Sequence, residues 1–236
     1  MLNLDMHIHT IMSGHAFCSL DEIVNSAIEK KIEAIAITDH GPNMIGSPHM
    51  NYFNMGERVK CTYADKLNVL FGCEANIVDE KGSIDITPDI ASNLDVLLVG
   101  LHNLTDYKTN NKKENTRAIM LSLNKYNVNI LAHPYREDFE TDIEDLVYES
   151  LKTHTLLEIN NSIFKNPSKN LKEQTRRMIK LLRKFGGKCI ITSDAHLLPE
   201  LGSDDNINRL KQEIELSDDI LIKSWLEYRE FFEENR

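Results

Sequence analysis

A chain of 236 residues, 41% hydrophobic and 27% charged, has enough apolar material for one sizeable core. Its 27 basic and 37 acidic residues leave a net charge of −10, which disfavours broad, non-specific nucleic-acid binding. No basic-then-apolar leader opens the chain and no apolar run approaches the ~18 residues of a membrane span, so a cytoplasmic protein is expected.

Leu2, Leu4, Met6 and Ile8 alternate with Asn3, Asp5, His7 and His9, the period-2 pattern of a strand. Residues two apart share a strand face, so His7 and His9 project side by side and can reach one metal ion. Taken alone, such a pair serves equally as sheet decoration.

Ser19 and Glu22 read as a capping box ahead of an amphipathic helix carrying Leu20, Ile23, Val24, Ala27 and Ile28. A short apolar run over 34–38 then ends in Asp39-His40-Gly41-Pro42, as suits a strand buried on both faces. Beyond a loop from Asn43, a helix is predicted around 57–65, and a third strand over 68–73 stops at Glu74. Residues 77–86 read as a small hairpin turning at Lys81-Gly82.

Apolar runs over 94–101 and 128–132 end at His102 and His133, with a helix over about 113–126 between them. A further helix bears Ile143, Leu146, Val147 and Leu151, and a strand over 155–159 ends in Asn160-Asn161-Ser162. Ser168 caps a long helix that Gly186-Gly187 stops, and a last strand over 188–192 ends at Ser193-Asp194-Ala195-His196. Two helical stretches, about 204–214 and 223–233, close the chain. The four cysteines, Cys18, Cys61, Cys73 and Cys189, form no C-x-x-C pair and predict no disulfide framework.

Seven β-then-α units without a linker predict one α/β domain over 1–236 with a parallel sheet and right-handed crossovers. An open sheet would satisfy the same alternation. The strand ends favour a barrel, because only there do the C-terminal ends of all strands converge on one mouth. They carry His7, His9, His40, Glu74, His102, His133, Asp194 and His196, and His15 joins them from the first loop. A His/Asp/Glu set without thiolate suits Zn²⁺, Mn²⁺ or Fe²⁺. Nine side chains exceed what one ion takes, so two or three ions sharing a bridging carboxylate would use them all.

These residues match a known pattern. The stretches Asp5-Met-His-Ile-His-Thr10, Ile37-Thr-Asp-His40, His133-Pro134 and Ser193-Asp-Ala-His196 resemble the signatures of the PHP (polymerase and histidinol phosphatase) superfamily. Ser13-Gly-His-Ala16, Asp39-His-Gly-Pro-Asn43, Gly72-Cys-Glu-Ala-Asn76 and Glu158-Ile-Asn-Asn-Ser162 look closest to its YcdX-like phosphatase branch. Met6 stands where the signature usually has Leu.

The resemblance implies a distorted seven-stranded (β/α)7 barrel holding three divalent ions, zinc foremost, with manganese or iron as alternatives. His7, His9, Glu74 and Asp194 would hold the first; Glu74 would bridge to a second held with His102 and His133; His15, His40 and His196 would hold the third. It implies hydrolysis of a small phosphorylated substrate by a metal-bridged hydroxide, with Glu74 and Asp194 central to catalysis. Arg136 at the same mouth could fork onto a substrate phosphate, and His49 in the second loop could protonate the leaving group. Asp39 and Ser193 could orient ligands, and Asn160 and Asn161 could bind substrate. His154, ahead of a strand, reads as structural. A homo-oligomer is compatible with the resemblance. The alternatives are a histidinol-phosphate phosphatase, a nuclease of the polymerase-associated kind, which the acidic charge disfavours, and a non-catalytic metal-binding barrel.

Overall fold

The computed structural model describes residues 1–108 and 111–233. In chain order it runs β1 (Leu4–Ile8), α1 (Leu20–Glu29), β2 (Ala34–Ile37), α2 (Gly56–Tyr63), β3 (Asn68–Asn76), α3 (Pro88–Asn93), β4 (Val96–Gly100) and α4 (Lys112–Lys125). There follow β5 (Ile130–Leu131), α5 (Ile143–Thr153), β6 (Leu156–Asn160), α6 (Lys169–Phe185), β7 (Cys189–Thr192), α7 (Asp205–Leu210), β8 (Leu221–Ile222) and α8 (Trp225–Glu233). The capping signals act as expected. Ser19 and Glu22 form the reciprocal capping box of α1, and Ser168 accepts the Leu171 N–H at the start of α6. Gly186, at φ 75°, ends α6 in the left-handed conformation.

All neighbouring strands are parallel, in the sequential order β1 through β8, so the sheet curls rather than winding outward from a centre. The count is eight, not seven. The additional strand is only two residues long, too short to show a period, and pairs Leu221 and Ile222 with Cys189 and Ile190 at the start of β7. Past the end of β7, Ala195 bridges to Ile8, and its carbonyl accepts the His9 N–H at 3.0 Å. The outer edge of this stretch thus meets β8 low and β1 high.

The curl creates two apolar environments. Alternate strand residues Leu97, Val99, Leu131, Leu157, Ile159 and Cys189 pack outward with the apolar faces of α4, α5 and α6. The other set, including Leu4, Met6, Ala34, Leu70, Leu98, Ile130, Leu156 and Ile190, packs together on the concave side, closed by Tyr228 and its neighbours on α8. Following each strand toward its C-terminal end, these inward positions turn polar: Leu70 leads to Glu74, Leu98 to His102, Leu156 to Glu158 and Asn160. An apolar floor therefore supports a polar layer, as in barrel interiors generally.

β1 departs from the strict alternation expected of it. Asp5 pairs with Ile35 but Ile8 with Ile37, so Met6 and His7 together oppose a single residue. Leu4 and Met6 lie in the inner cluster, whereas Ile8 packs outward with Ile23 and Val24 of α1. The bulge turns His7 and His9 inward directly above Met6. No helix among the described residues is long and apolar enough to cross a membrane. Cys18, Cys73 and Cys189 are buried free thiols, and Cys61 is exposed.

Candidate metal centre

Glu74, buried at the inner face of β3, stands at the middle of the polar layer. Its Oε2 lies 3.2 Å from His7 Nε2, 3.4 Å from His9 Nε2 and 2.9 Å from His40 Nδ1. Its Oε1 lies 2.9 Å from His102 Nε2 and 3.0 Å from His133 Nε2. Each oxygen of one carboxylate thus faces a different group of imidazoles. Asp194 Oδ1 approaches His9 Nε2 at 3.2 Å and His7 Nε2 at 3.6 Å. The His196 ring lies tilted against His9 with centroids 4.4 Å apart, and exposed His15 stacks 5.1 Å from His40 and 4.8 Å from His196. Asp194 at φ 54° and His133 at φ 31° adopt left-handed backbone, where Asp and His are less penalised than most residues. These turns direct both side chains back over the sheet.

The hydrogen bonds behind the rings decide which nitrogens face inward. His7 donates its Nδ1–H to Glu158 Oε1 at 2.6 Å, because a carboxylate only accepts. Ser13 donates its hydroxyl to Asp39 Oδ1 at 2.6 Å and so accepts the Nδ1–H of His9 at 2.9 Å. Both Nε2 atoms are left as bare acceptors when the rings are neutral, and they face each other at 3.0 Å. Two lone pairs at that distance repel unless a cation lies against both. His40 Nδ1 faces Glu74 Oε2 at 2.9 Å outside hydrogen-bond geometry, and buried His102 Nδ1 has no hydrogen-bond partner among the described residues. Ligand atoms of His7, His9 and Asp194 lie within 4.8 Å of one another, as do those of His9, His40 and His196, and of His40, Glu74 and His102. The donor set fits divalent ions.

The electrostatics agree. Burial opposes charge on His9, yet the carboxylates of Asp194 and Glu74 outweigh it and lift its pKa to about 9. Burial likewise opposes charge on His7, but Glu74, Glu158 and Asp194 hold it well above its ordinary value. Glu74, despite burial, is held well below the usual carboxylate range by His7, His102 and His40. His40 is driven by burial down to about 3, more than Glu74 restores. The carboxylates around His7 and His9 thus favour positive charge beside both rings.

A PHP domain model matches residues 5–187. The chain belongs to the PHP domain family. A protein of Caldanaerobacter subterraneus named "probable phosphatase" is 31% identical over 236 residues, covering 100% of this chain and 92% of the relative. One of the same name from Yersinia enterocolitica is 34% identical over 214 residues, covering 91% and 86%. Among solved structures, the histidinol phosphate phosphatase of Lactococcus lactis, complexed with zinc, L-histidinol and phosphate, shares the fold: TM-score 0.62, 19% identity, 90% of this chain and 92% of that one.

This PHP domain gathers all nine side chains singled out in its sequence. His15, His40, Glu74, His102, His133, Asp194 and His196 line a cavity of about 340 Å³ together with Met44, Ile45, Asn103, Leu104 and Arg136, and His7 and His9 lie buried below. Arg136 reaches the rim, with Nη2 2.9 Å from Asp138 Oδ2. His49 does not line the cavity. It is exposed and caps a short 3-10 turn, its Nδ1 accepting the Asn51 N–H at 3.3 Å. Ser193 donates to buried Asp5, beneath the layer, through both backbone and side chain. Asn160 Nδ2 donates to Asp194 Oδ2 at 3.0 Å, while Asn161 Oδ1 accepts the N–H groups at the start of α7. His154 stacks on Phe231, against α8.

Sequence reasoning gave no role to Glu158, which is fully buried. Besides His7 it takes the backbone N–H of His133 at 2.6 Å and the Thr192 hydroxyl at 2.5 Å. The available signal was its place two residues before Asn160, on the inward face of an otherwise apolar strand.

Proposed function

We propose that this chain is a metal-dependent phosphatase acting on small phosphomonoesters. The observation that carries the reading is the split carboxylate of Glu74, with His7, His9 and His40 about one oxygen and His102 and His133 about the other. That is the arrangement of a carboxylate shared between ions. The "probable phosphatase" relatives and the zinc and phosphate in the Lactococcus lactis structure support the same reading.

His7, His9, Glu74 and Asp194 would hold one ion, Glu74, His102 and His133 a second, and His15, His40 and His196 a third, with zinc the foremost candidate. Such ions supply a water acidic enough to act as nucleophile at neutral pH and neutralise charge on the phosphoryl oxygens. The chain's own contributions are positional. Glu158 and the Asp39–Ser13 pair hold the His7 and His9 rings with Nε2 inward. Asn160 steadies Asp194 from behind. Arg136 at the rim would donate two N–H groups to phosphoryl oxygens, with Asp138 fixing its fork. The floor of Met6, Leu98 and Ile130 shuts bulk water out from below.

Purified protein loaded with zinc or manganese should hydrolyse p-nitrophenyl phosphate and leave a labelled single-stranded oligonucleotide intact. His9→Ala and Asp194→Ala should abolish turnover with circular dichroism unchanged. Wild-type turnover in either variant, or no ester hydrolysis with any of these metals, would overturn the reading.

A further inference from the structure

The cavity has a second zone that the metal centre does not use. Met44, Ile45 and Leu104 form its apolar wall, on the loops that follow β2 and β4. Ile45 is 71% exposed and Leu104 69% exposed. Leu104 also sits at φ 65°, a left-handed backbone that L residues with bulky side chains adopt at a cost. Among the described residues neither side chain enters a core cluster that would offset these two penalties.

The two loops are nevertheless held firmly. Asn43 Nδ2 donates to Asp106 Oδ2 at 2.6 Å, and the Asp106 N–H donates back to Asn43 Oδ1 at 2.6 Å, clipping one loop to the other. Asp85 accepts the Asn43 N–H at 2.8 Å, and the buried Thr105 hydroxyl donates to the His102 carbonyl at 2.9 Å. Ile45 and Leu104 are therefore displayed at fixed positions beside His40 and His102.

Basic charge in this zone is sparse. Arg136 is the only lysine or arginine lining the cavity among the described residues, and Asp138, which pairs with it, also takes Asn103 Nδ2 at 2.9 Å. A second anionic group on a substrate would find no further lysine or arginine on this lining, Arg136 being already paired with Asp138.

We propose that Ile45 and Leu104 form an apolar collar selecting phosphomonoesters whose alcohol carries an uncharged, apolar body, and rejecting bisphosphates and other polyanions. The proposal rests on the phosphatase reading: the phosphoryl group lies at the metal centre and the rest of the ester contacts the collar.

The test uses three non-hydrolysable or product-like probes on the zinc-loaded full chain, measured by calorimetry: inorganic phosphate, phenylphosphonate, and phenylphosphonate bearing a para-carboxylate. Phenylphosphonate should bind about tenfold tighter than phosphate, the gain from covering a ring with two aliphatic side chains. The para-carboxylate should remove most of that advantage. In the double variant Ile45→Ser, Leu104→Asn the phenylphosphonate-to-phosphate affinity ratio should fall to near one. Asparagine tolerates the left-handed backbone, so the loop is kept, and zinc content verifies the centre. Equal wild-type affinity for phosphate and phenylphosphonate, tighter binding of the carboxylated ring, or an unchanged ratio in the double variant would each overturn the collar. Phosphate binding or ester hydrolysis without ring preference strikes the collar alone. Failure of all three probes to bind, together with no ester hydrolysis, strikes the phosphatase reading and the collar with it.

Discussion

Glu158 and His7, 151 residues apart, are joined by a 2.6 Å hydrogen bond through His7 Nδ1, and the other Glu158 oxygen takes the His133 backbone N–H at 2.6 Å. One buried carboxylate therefore orients an imidazole on β1 and the chain leaving β5. Glu158→Gln retains an acceptor but loses the negative charge that makes His7 a strong donor ligand. Zinc affinity should fall about 10–100-fold, measured by competition with a chelating dye. Wild-type affinity would show that Glu158 only fills space.

Asp39 accepts four donors: the Thr10 N–H at 2.8 Å, the Thr10 hydroxyl at 2.8 Å, the Ser13 hydroxyl at 2.6 Å and the Tyr52 hydroxyl at 2.7 Å. Asp39→Ala leaves these groups unpaired in a buried site, at a cost of about 3 kcal/mol. For a chain of this length that corresponds to a melting temperature lower by about 6–12 °C. The melt should be run on metal-free protein, so that lost metal binding does not add to it. A shift under about 2 °C would mean that water replaces the carboxylate.

Gly100 ends β4 beneath the imidazoles. A Cβ there would lie 2.9 Å from His102 Cε1 and 3.0 Å from His133 Cε1, closer than carbon atoms pack. Gly100→Ala should displace both rings and lower turnover about tenfold. Thermal stability of the metal-free protein should hold, because alanine restricts the unfolded chain more than glycine does. Unchanged turnover would show that the rings have room to move.

Metal removal should destabilise the fold. Ions bound only by the folded state add about 2.7 kcal/mol when free metal is 100 times Kd. The melting temperature should then rise by about 5–11 °C between chelator-treated and zinc-loaded protein. In His9→Ala the rise should shrink by half or more. A melt insensitive to zinc would argue against a folded-state metal centre.

Short-range features were legible in the sequence. The caps at Ser19 and Ser168, the stop at Gly186 and the apolar runs of the strands depend only on nearby residues, and each stands where its local pattern puts it. Eight of the nine metal-competent side chains were legible too, because each follows an apolar run and so falls at a strand end, while His15 stands in the loop after β1.

Other features depended on contacts across the sheet. The bulge in β1 is invisible in an alternating sequence, since only pairing with β2 reveals two residues opposite one. Two-residue β8 carries no period, and it exists because β7 offers a free edge there. Spacing could place Glu158 on the inward face but could not name its partner: strand register brings it to His7, and a local turn holds His49 away from the cavity. The sequence by itself determined which chemistry the chain carries and that it lies at strand ends, because polarity and period are local properties. Only the tertiary structure decided which nitrogen each imidazole turns inward, and which loops stand over the cavity, because hydrogen bonds between residues distant in sequence set both.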